Sequence, residues 1–378
     1  MARSSIEELL EKNRVRYMGT QGFDSSAGVL ADCLENLGFE VTRQPVQYTG
    51  WTHSEDPEVL ISCPDGIREI AAKAMIYSPS IKGRGRIEFA GRQELIGVFD
   101  WRHFYVKSDD KVIAKLIATE SGPAVPLSLE GPQADVASFI ISSDDGDWLL
   151  EILDSTCEQD VMVSVNLESQ LHKGQQFFNV TGSRVDEDAV QSDNEVLICA
   201  HYDSIYRSPG ANDNGSGLMC AEMVAKKLKD SSILGQTTTV TVAFFGGEEL
   251  LQLGSRAYLQ KRMADGTAGA IDLVMNLDMV GVGNYFWPWV NDDTEPVFRE
   301  VLNKKPCPYP VEILNPPLAG DHYPFLQQGI PAACFIWWPD PNYHQSTDRY
   351  EELDREKIKY TAEICVSFVE RFISENLK

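Results

Sequence analysis

The stretch His201-Tyr-Asp-Ser-Ile-Tyr-Arg-Ser-Pro-Gly-Ala-Asn-Asp213 decides how this chain is read. Directly before it, Glu195-Val-Leu-Ile-Cys-Ala200 is a short apolar burst of the kind that forms an interior parallel strand. His201 and Asp203 therefore fall at the carboxyl end of that strand, the edge where open α/β sheets place their chemistry. Pro209 and Gly210 turn the chain, Asp213 follows, and beyond Asn214-Gly-Ser-Gly217 the run Leu218–Leu228 has helical spacing. One loop thus offers an imidazole and two carboxylates, the start of a metal site.

The pattern recurs downstream. Thr237–Phe245, Ala270–Leu277 and Ala332–Ile336 read as further interior strands separated by helical segments, and a last helix is predicted from Asp354 to Asn376. Each strand is followed by candidate ligands: Gly246-Gly-Glu-Glu249, Asn276-Leu-Asp278 and Tyr343-His344. The expected fold is α/β, a three-layer α/β/α sandwich on a mixed, mostly parallel sheet, whose strand ends gather residues distant in sequence. Two His with three or four carboxylates on one sheet edge form N/O donor sets. These suit a pair of Zn²⁺ ions better than Ca²⁺ or Mg²⁺, which prefer all-oxygen shells.

At the amino end, Ser4-Ser-Ile-Glu-Glu carries a capping box, Asp24–Leu37 reads as a helix closed by Gly38, and Phe39–Val46 alternates as a strand. Between about 47 and 160 helical periodicity weakens, and a smaller β-rich domain is expected as an insert into a main domain of 1–46 and 161–378. Within the insert, Leu95–Asp100, Lys111–Ala118, Ala137–Ser142 and Gly146–Leu153 read as strand, helix, strand and helix. Val161–Leu167 and Gln176–Val185 read as paired strands opening the main sheet. The insert has no pair of polar residues with catalytic spacing, so a packing or access role is expected.

With 378 residues and 43% hydrophobic content the chain can bury a large core. A net charge of -24 argues against nucleic acid as a partner, since phosphate binding needs a basic footprint. No apolar run approaches bilayer length, so no membrane partner is expected. The eight cysteines lack Cys-x-x-Cys pairs and several sit in apolar runs, which reads as reduced thiols in a cytoplasmic protein, or a secreted one if a signal peptide has been removed.

Six blocks together carry a resemblance: His-x-Asp at 201–203, Gly-Ala-Asn-Asp-Asn-Gly-Ser-Gly at 210–217, Phe-Gly-Gly-Glu-Glu at 245–249, Asn-Leu-Asp-Met-Val-Gly at 276–281, Gly-Asp-His-Tyr-Pro-Phe at 320–325 with Gly-Ile-Pro at 329–331, and Tyr-His at 343–344. In order and spacing the chain resembles the co-catalytic two-zinc aminopeptidases, relatives of glutamate carboxypeptidase and glutaminyl cyclase. The insert loosely resembles a protease-associated domain. The resemblance implies two Zn²⁺ per chain, or other divalent transition metals. It makes Asp213 the bridging carboxylate, His201 and Asp278 the other ligands of one metal, and Glu249 and His344 those of the second. It makes Glu248 the general base, Tyr343 an oxyanion donor and Asp203 the carboxylate that fixes the His201 tautomer.

The function implied is an exopeptidase acting on peptides from the amino terminus. A carboxypeptidase or dipeptidase, a glutaminyl cyclase and a non-catalytic receptor-like relative are the alternatives. The full ligand set with Glu248 favours hydrolysis, because cyclisation uses a single zinc and receptor-like relatives lose ligands. Arg207, Arg256 and Arg349 are the arginines that a carboxylate-binding cluster would draw on. His322 reads as a loop or substrate-contact residue, and His53, His103 and His172 as surface or loop positions. Trp287, Trp289, Trp337 and Trp338 read equally as pocket wall or core.

Overall fold

The computed structural model describes residues 4–95, 99–155, 161–184, 194–229 and 238–376. The chain divides into two units, one of residues 1–47 and 176–378 and one of residues 48–175. No helix among the described residues is long and apolar enough to cross a membrane.

The first unit is built on a seven-stranded sheet in the order Glu40–His53, Ser169–Arg184, Thr239–Phe245, Glu195–His201, Ile271–Leu277, Ala332–Trp338 and Tyr285–Val290, of which residues 48–53 and 169–175 of the first two strands belong to the second unit. The four strands from Thr239–Phe245 to Ala332–Trp338 run parallel, and the flanking Ser169–Arg184 and Tyr285–Val290 strands are antiparallel. All seven residues of Glu195–His201 are buried, as expected of a strand covered on both faces. From it the chain passes first to the neighbour on one side and then to the neighbour on the other. The carboxyl end of this strand, and His201 with it, therefore lies at the topological switch point.

Helices complete the three layers. On one face Tyr258 and Leu259 of helix Leu253–Ala264, with Phe325, pack on Leu197, Cys199, Ala243 and Phe245. On the other, Phe298 of helix Glu295–Lys304 and Phe368 of helix Arg355–Asn376 pack on Phe335, and Trp337 Nε1 donates to Thr361 Oγ1 at 2.9 Å. The first helix, Ser5–Leu10, starts at the capping box read from sequence: Ser4 Oγ accepts from Glu7 N–H at 3.2 Å and the Glu7 carboxylate accepts from Ser4 N–H at 3.3 Å.

The second unit holds an eight-stranded sheet, antiparallel except for the pair Lys111–Ala118 and Ala137–Ile141, with helix Ser143–Ser155. Two expectations are corrected here. Lys111–Ala118 is a strand, not a helix: an eight-residue, mostly apolar run has no decisive period, and the tight Asp109-Asp110 turn returns it against Phe99–Ser108. Met162–Leu167 pairs with Glu58–Cys63 and Ile81–Leu95 in this sheet rather than opening the main one. The division between the two units falls at residue 175, within the strand Ser169–Arg184. Residues 96–98 of the expected Leu95–Asp100 strand, and Cys157, Val185 and Thr237, lie outside the described residues.

Candidate metal and catalytic site

Four parallel strands deliver four segments to one edge of the sheet. His201 ends the first strand, Glu248 and Glu249 follow Phe245, Asp278 follows Leu277, and Tyr343 and His344 lie beyond Trp338. There the side chains form two groups that share Asp213: His201, Asp213 and Asp278 in one, and Asp213, Glu249 and His344 in the other. Within each group one donor atom per residue lies within 4.8 Å of the others. His201 Nε2 is 3.2 Å from one oxygen of Asp213 and 3.5 Å from Asp278; His344 Nε2 is 3.1 Å from the other oxygen of Asp213 and 3.4 Å from Glu249.

Asp203 organises the centre. Its carboxylate accepts the backbone N–H of Glu248 and of Glu249, each at 3.2 Å, and its carbonyl lies 3.2 Å from His201 Nδ1. With Nδ1 directed at Asp203, Nε2 is left facing Asp213 and Asp278, as a ligating imidazole needs. The Asp203 link to the two glutamate amides has no sequence signal, because it runs between the ends of neighbouring strands.

The loop carrying Asp213 is fixed by its two asparagines. Asn214 donates to Leu277 O at 2.8 Å and accepts from Met279 N–H at 3.2 Å and Gly217 N–H at 3.0 Å, so it brackets Asp278 from both sides. Asn212 accepts from Gly281 N–H at 2.8 Å and donates to Asp340 at 2.7 Å. Gly217 has to lack a side chain, since a Cβ there would sit 2.2 Å from Leu277 O. Met279 and His344 hold φ values of 50° and 57°, a left-handed conformation that non-glycine residues adopt at a cost and that clusters at functional sites.

The electrostatics are those of crowded buried acids. Burial raises the pKa of Glu248 well above the usual carboxylate range; His201 opposes this, and Asp321, Asp278 and Asp203 add to it. Burial likewise raises Glu249, reinforced by Asp213 and Glu248. Burial also works to raise Asp213, but the His201 and His344 rings, each with Nε2 close to one of its oxygens, outweigh it and hold the carboxyl below its ordinary value. For His201, burial favours the neutral ring, yet Asp278, Asp203 and Asp213 together hold its pKa well above the ordinary value. Burial and the surrounding carboxylates push the Tyr343 hydroxyl up, so it stays protonated. His201 Nε2, Glu249 Oε1 and Asp278 Oδ1 are buried without a hydrogen-bond partner, which is costly unless a cation occupies the space they share. This donor set of two imidazoles and three carboxylates fits two borderline divalent ions.

The remaining sequence candidates fall as follows. Tyr343 is half-buried and stacks on the His344 ring at 3.8 Å. His322 lies in the turn before the short helix Tyr323–Leu326; it is fully buried against Trp289, and burial lowers its pKa to about 3. His53, His103 and His172 lie on strands, His53 buried. Trp337 is core, whereas Trp289, Trp287 and Trp338 form a chain of T-shaped and tilted ring contacts that ends on Tyr343. The three arginines do not converge: Arg207 lies over Tyr206, Arg256 donates to Leu251 O and Gln252, and Arg349 donates to Ser346 O. Arg16 and Asp348, which the sequence did not mark, hold the loop before Asp213. Asp348 accepts Asn212 and Asp213 N–H at 2.7 and 3.0 Å.

A mixed α/β sheet with two clusters of His and carboxylate donors at its switch-point edge defines the class of metal-dependent hydrolases built on an exopeptidase fold. The chain belongs to peptidase family M28, whose profile matches residues 179–369. It is 24% identical to aminopeptidase YwaD of Bacillus subtilis over an alignment spanning 100% of this chain and 85% of that protein. Among solved structures it is similar to an aminopeptidase from Aneurinibacillus sp. strain AM-1, with TM-score 0.75, 20% identity and coverage of 98% and 93% of the two chains. It is also similar to a zinc aminopeptidase from Bacillus subtilis, with TM-score 0.72, 21% identity and coverage of 99% and 95%. Both likenesses are of fold.

Proposed function

We propose that the chain is a metal-dependent aminopeptidase that removes the first residue of a peptide, with two Zn²⁺ held by His201, Asp213 and Asp278 on one side and Asp213, Glu249 and His344 on the other. The observation that carries this reading is the shared position of Asp213 between two buried donor groups with orphaned ligand atoms. Bound zinc supplies a Lewis acid for the scissile carbonyl and lowers the pKa of the attacking water.

The chain's own residues do the rest. Glu248, half-buried and with its proton affinity raised by its surroundings, takes a proton from the attacking water and returns it to the leaving amine. Asp203 keeps the Glu248 and Glu249 backbones and the His201 ring in register, so base and ligands move as one body. Tyr343, protonated and stacked on His344, donates to the developing oxyanion. Both donor clusters found among the described residues lie in the first unit, and the second unit is assigned packing or access rather than chemistry. The seven described cysteines are free thiols, five of them buried, and we assign the protein to a reducing compartment such as the cytoplasm.

The test is hydrolysis of aminoacyl anilides, each with a free or acetylated amine, by zinc-loaded protein with and without chelator. Chelator-sensitive cleavage of the free-amine forms alone is expected. Cleavage of neither form by protein carrying two zinc ions would overturn the aminopeptidase reading in favour of a carboxypeptidase or dipeptidase.

A further inference from the structure

Arg16 lies in the turn between helices Ser5–Leu10 and Gln21–Asn36, 186 residues before Tyr202 and outside the segment matched by the family profile. Its side chain is only 3% exposed. All three of its side-chain bonds go to carbonyl oxygens of the His201–Asp213 loop: Nε to Tyr202 at 3.0 Å, Nη1 to Pro209 at 2.6 Å and Nη2 to Gly210 at 2.7 Å. Its backbone joins in, since Arg16 N–H donates to Ser204 Oγ at 3.0 Å and Arg16 O accepts from Ser204 N–H at 3.2 Å. Ser204 Oγ in turn donates to Ser208 O at 2.8 Å.

An apolar side chain of similar length would fill this space without desolvating a charge. The guanidinium instead presents a rigid planar fork of donors, matched to three carbonyls that no short side chain could reach together. The opposite half of the loop is held by its N–H groups, with Asp348 taking Asn212 and Asp213 on its carboxylate and Ala211 on its carbonyl. Carbonyls are gripped from one side and amides from the other, and the two ends of the gripped segment are His201 and Asp213.

We infer that Arg16 is a positioning residue that pre-forms the metal loop, fixing the spacing of His201 and Asp213 before an ion arrives. This inference rests on the two-metal reading above. Residues that support metal ligands from behind typically change affinity by ~10–100-fold when altered. Arg16→Lys keeps the charge and loses the fork; Arg16→Met loses both.

The experiment measures zinc dissociation constants by competition with a chromophoric chelator, together with melting temperatures of the metal-free and zinc-loaded forms, for wild type, R16K, R16M and Ser204→Ala. R16K is expected to bind zinc ~10–100-fold more weakly, with unchanged far-ultraviolet circular dichroism and a smaller zinc-induced rise in melting temperature. Ser204→Ala, which removes the Oγ that accepts from Arg16 N–H and donates to Ser208 O but keeps the Ser204 N–H bond to Arg16 O, is expected to show a smaller loss in the same direction, and it carries the test with R16K if R16M does not fold. Wild-type affinity in R16K and S204A, with both forms melting lower by the same amount, would make Arg16 structural only and overturn the inference. A wild-type protein that binds no zinc would overturn the two-metal reading and this inference with it, a pattern distinct from wild type and variants binding alike.

Discussion

Glu248→Gln separates binding from chemistry. Gln has nearly the size and shape of Glu, so it keeps the backbone N–H bond to Asp203 at 3.2 Å and still offers an oxygen to Gln252 Nε2, which lies 3.4 Å from Glu248 Oε1. Glu248 belongs to neither donor group, so both groups stay whole in the variant. What is lost is the capacity to take a proton, in a residue whose burial and acidic neighbours raise its proton affinity. General-base catalysis is worth on the order of 10²–10⁴ in rate. By the conversion of 1.36 kcal/mol per tenfold, that is ~2.7–5.4 kcal/mol of transition-state stabilisation. Steady-state kinetics on an aminoacyl anilide, with zinc measured on the same sample, should show kcat reduced by that factor, KM changed little and two zinc ions retained. A variant that keeps more than about a tenth of wild-type kcat, or that loses zinc, would refute the assignment of Glu248 as base rather than ligand.

Other consequences are equally direct. Asp203→Asn places an amide against two N–H donors and should weaken zinc affinity by ~10–100-fold, measured by chelator competition. Tyr343→Phe should lower kcat on the order of 10², with zinc content unchanged, if its phenol donates to the oxyanion. Asn214→Ala removes three hydrogen bonds at about 1 kcal/mol each and should cost ~3 kcal/mol in denaturant unfolding. The metal-free protein should lose stability as pH rises from about 4 to 8. Glu248 and Glu249 are raised above their ordinary values, burial raises Asp321 and Asp348 to about 7, and the raised pKa of His201 acts in the same direction. His322 and His103, both lowered by burial, work the other way below about pH 6.5, but they are two groups against five, so the folded state binds more protons than the unfolded one across this range. Melting temperatures of chelated protein should fall from pH 5 to 8, and a flat profile would count against the crowded-acid description.

What was legible in the sequence followed from period and punctuation. The buried strand before His201, the strands before Glu248, Asp278 and His344, and the Ser4 capping box all announce themselves locally, so the sheet and its candidate residues could be named from them. Lys111–Ala118 could not, because so short a stretch, apolar but for Lys111 and Lys115, fits either a strand or a helix and the neighbouring strand decides. Met162–Leu167 alternates as a strand should, but alternation says nothing about which sheet it joins. Arg16, Asp348, Asn212 and Asn214 were out of reach for a different reason. They act through backbone carbonyls and amides of other segments, and such bonds leave no residue-type signature at the far end.

The central claim is most directly tested by titrating zinc into chelated, desalted protein while recording hydrolysis of a free-amine aminoacyl anilide and tracking bound metal. Activity that rises with bound zinc and reaches its plateau at two ions per chain is the predicted result. Full activity without bound metal, or no activity at any zinc occupancy across the substrate panel, would contradict it.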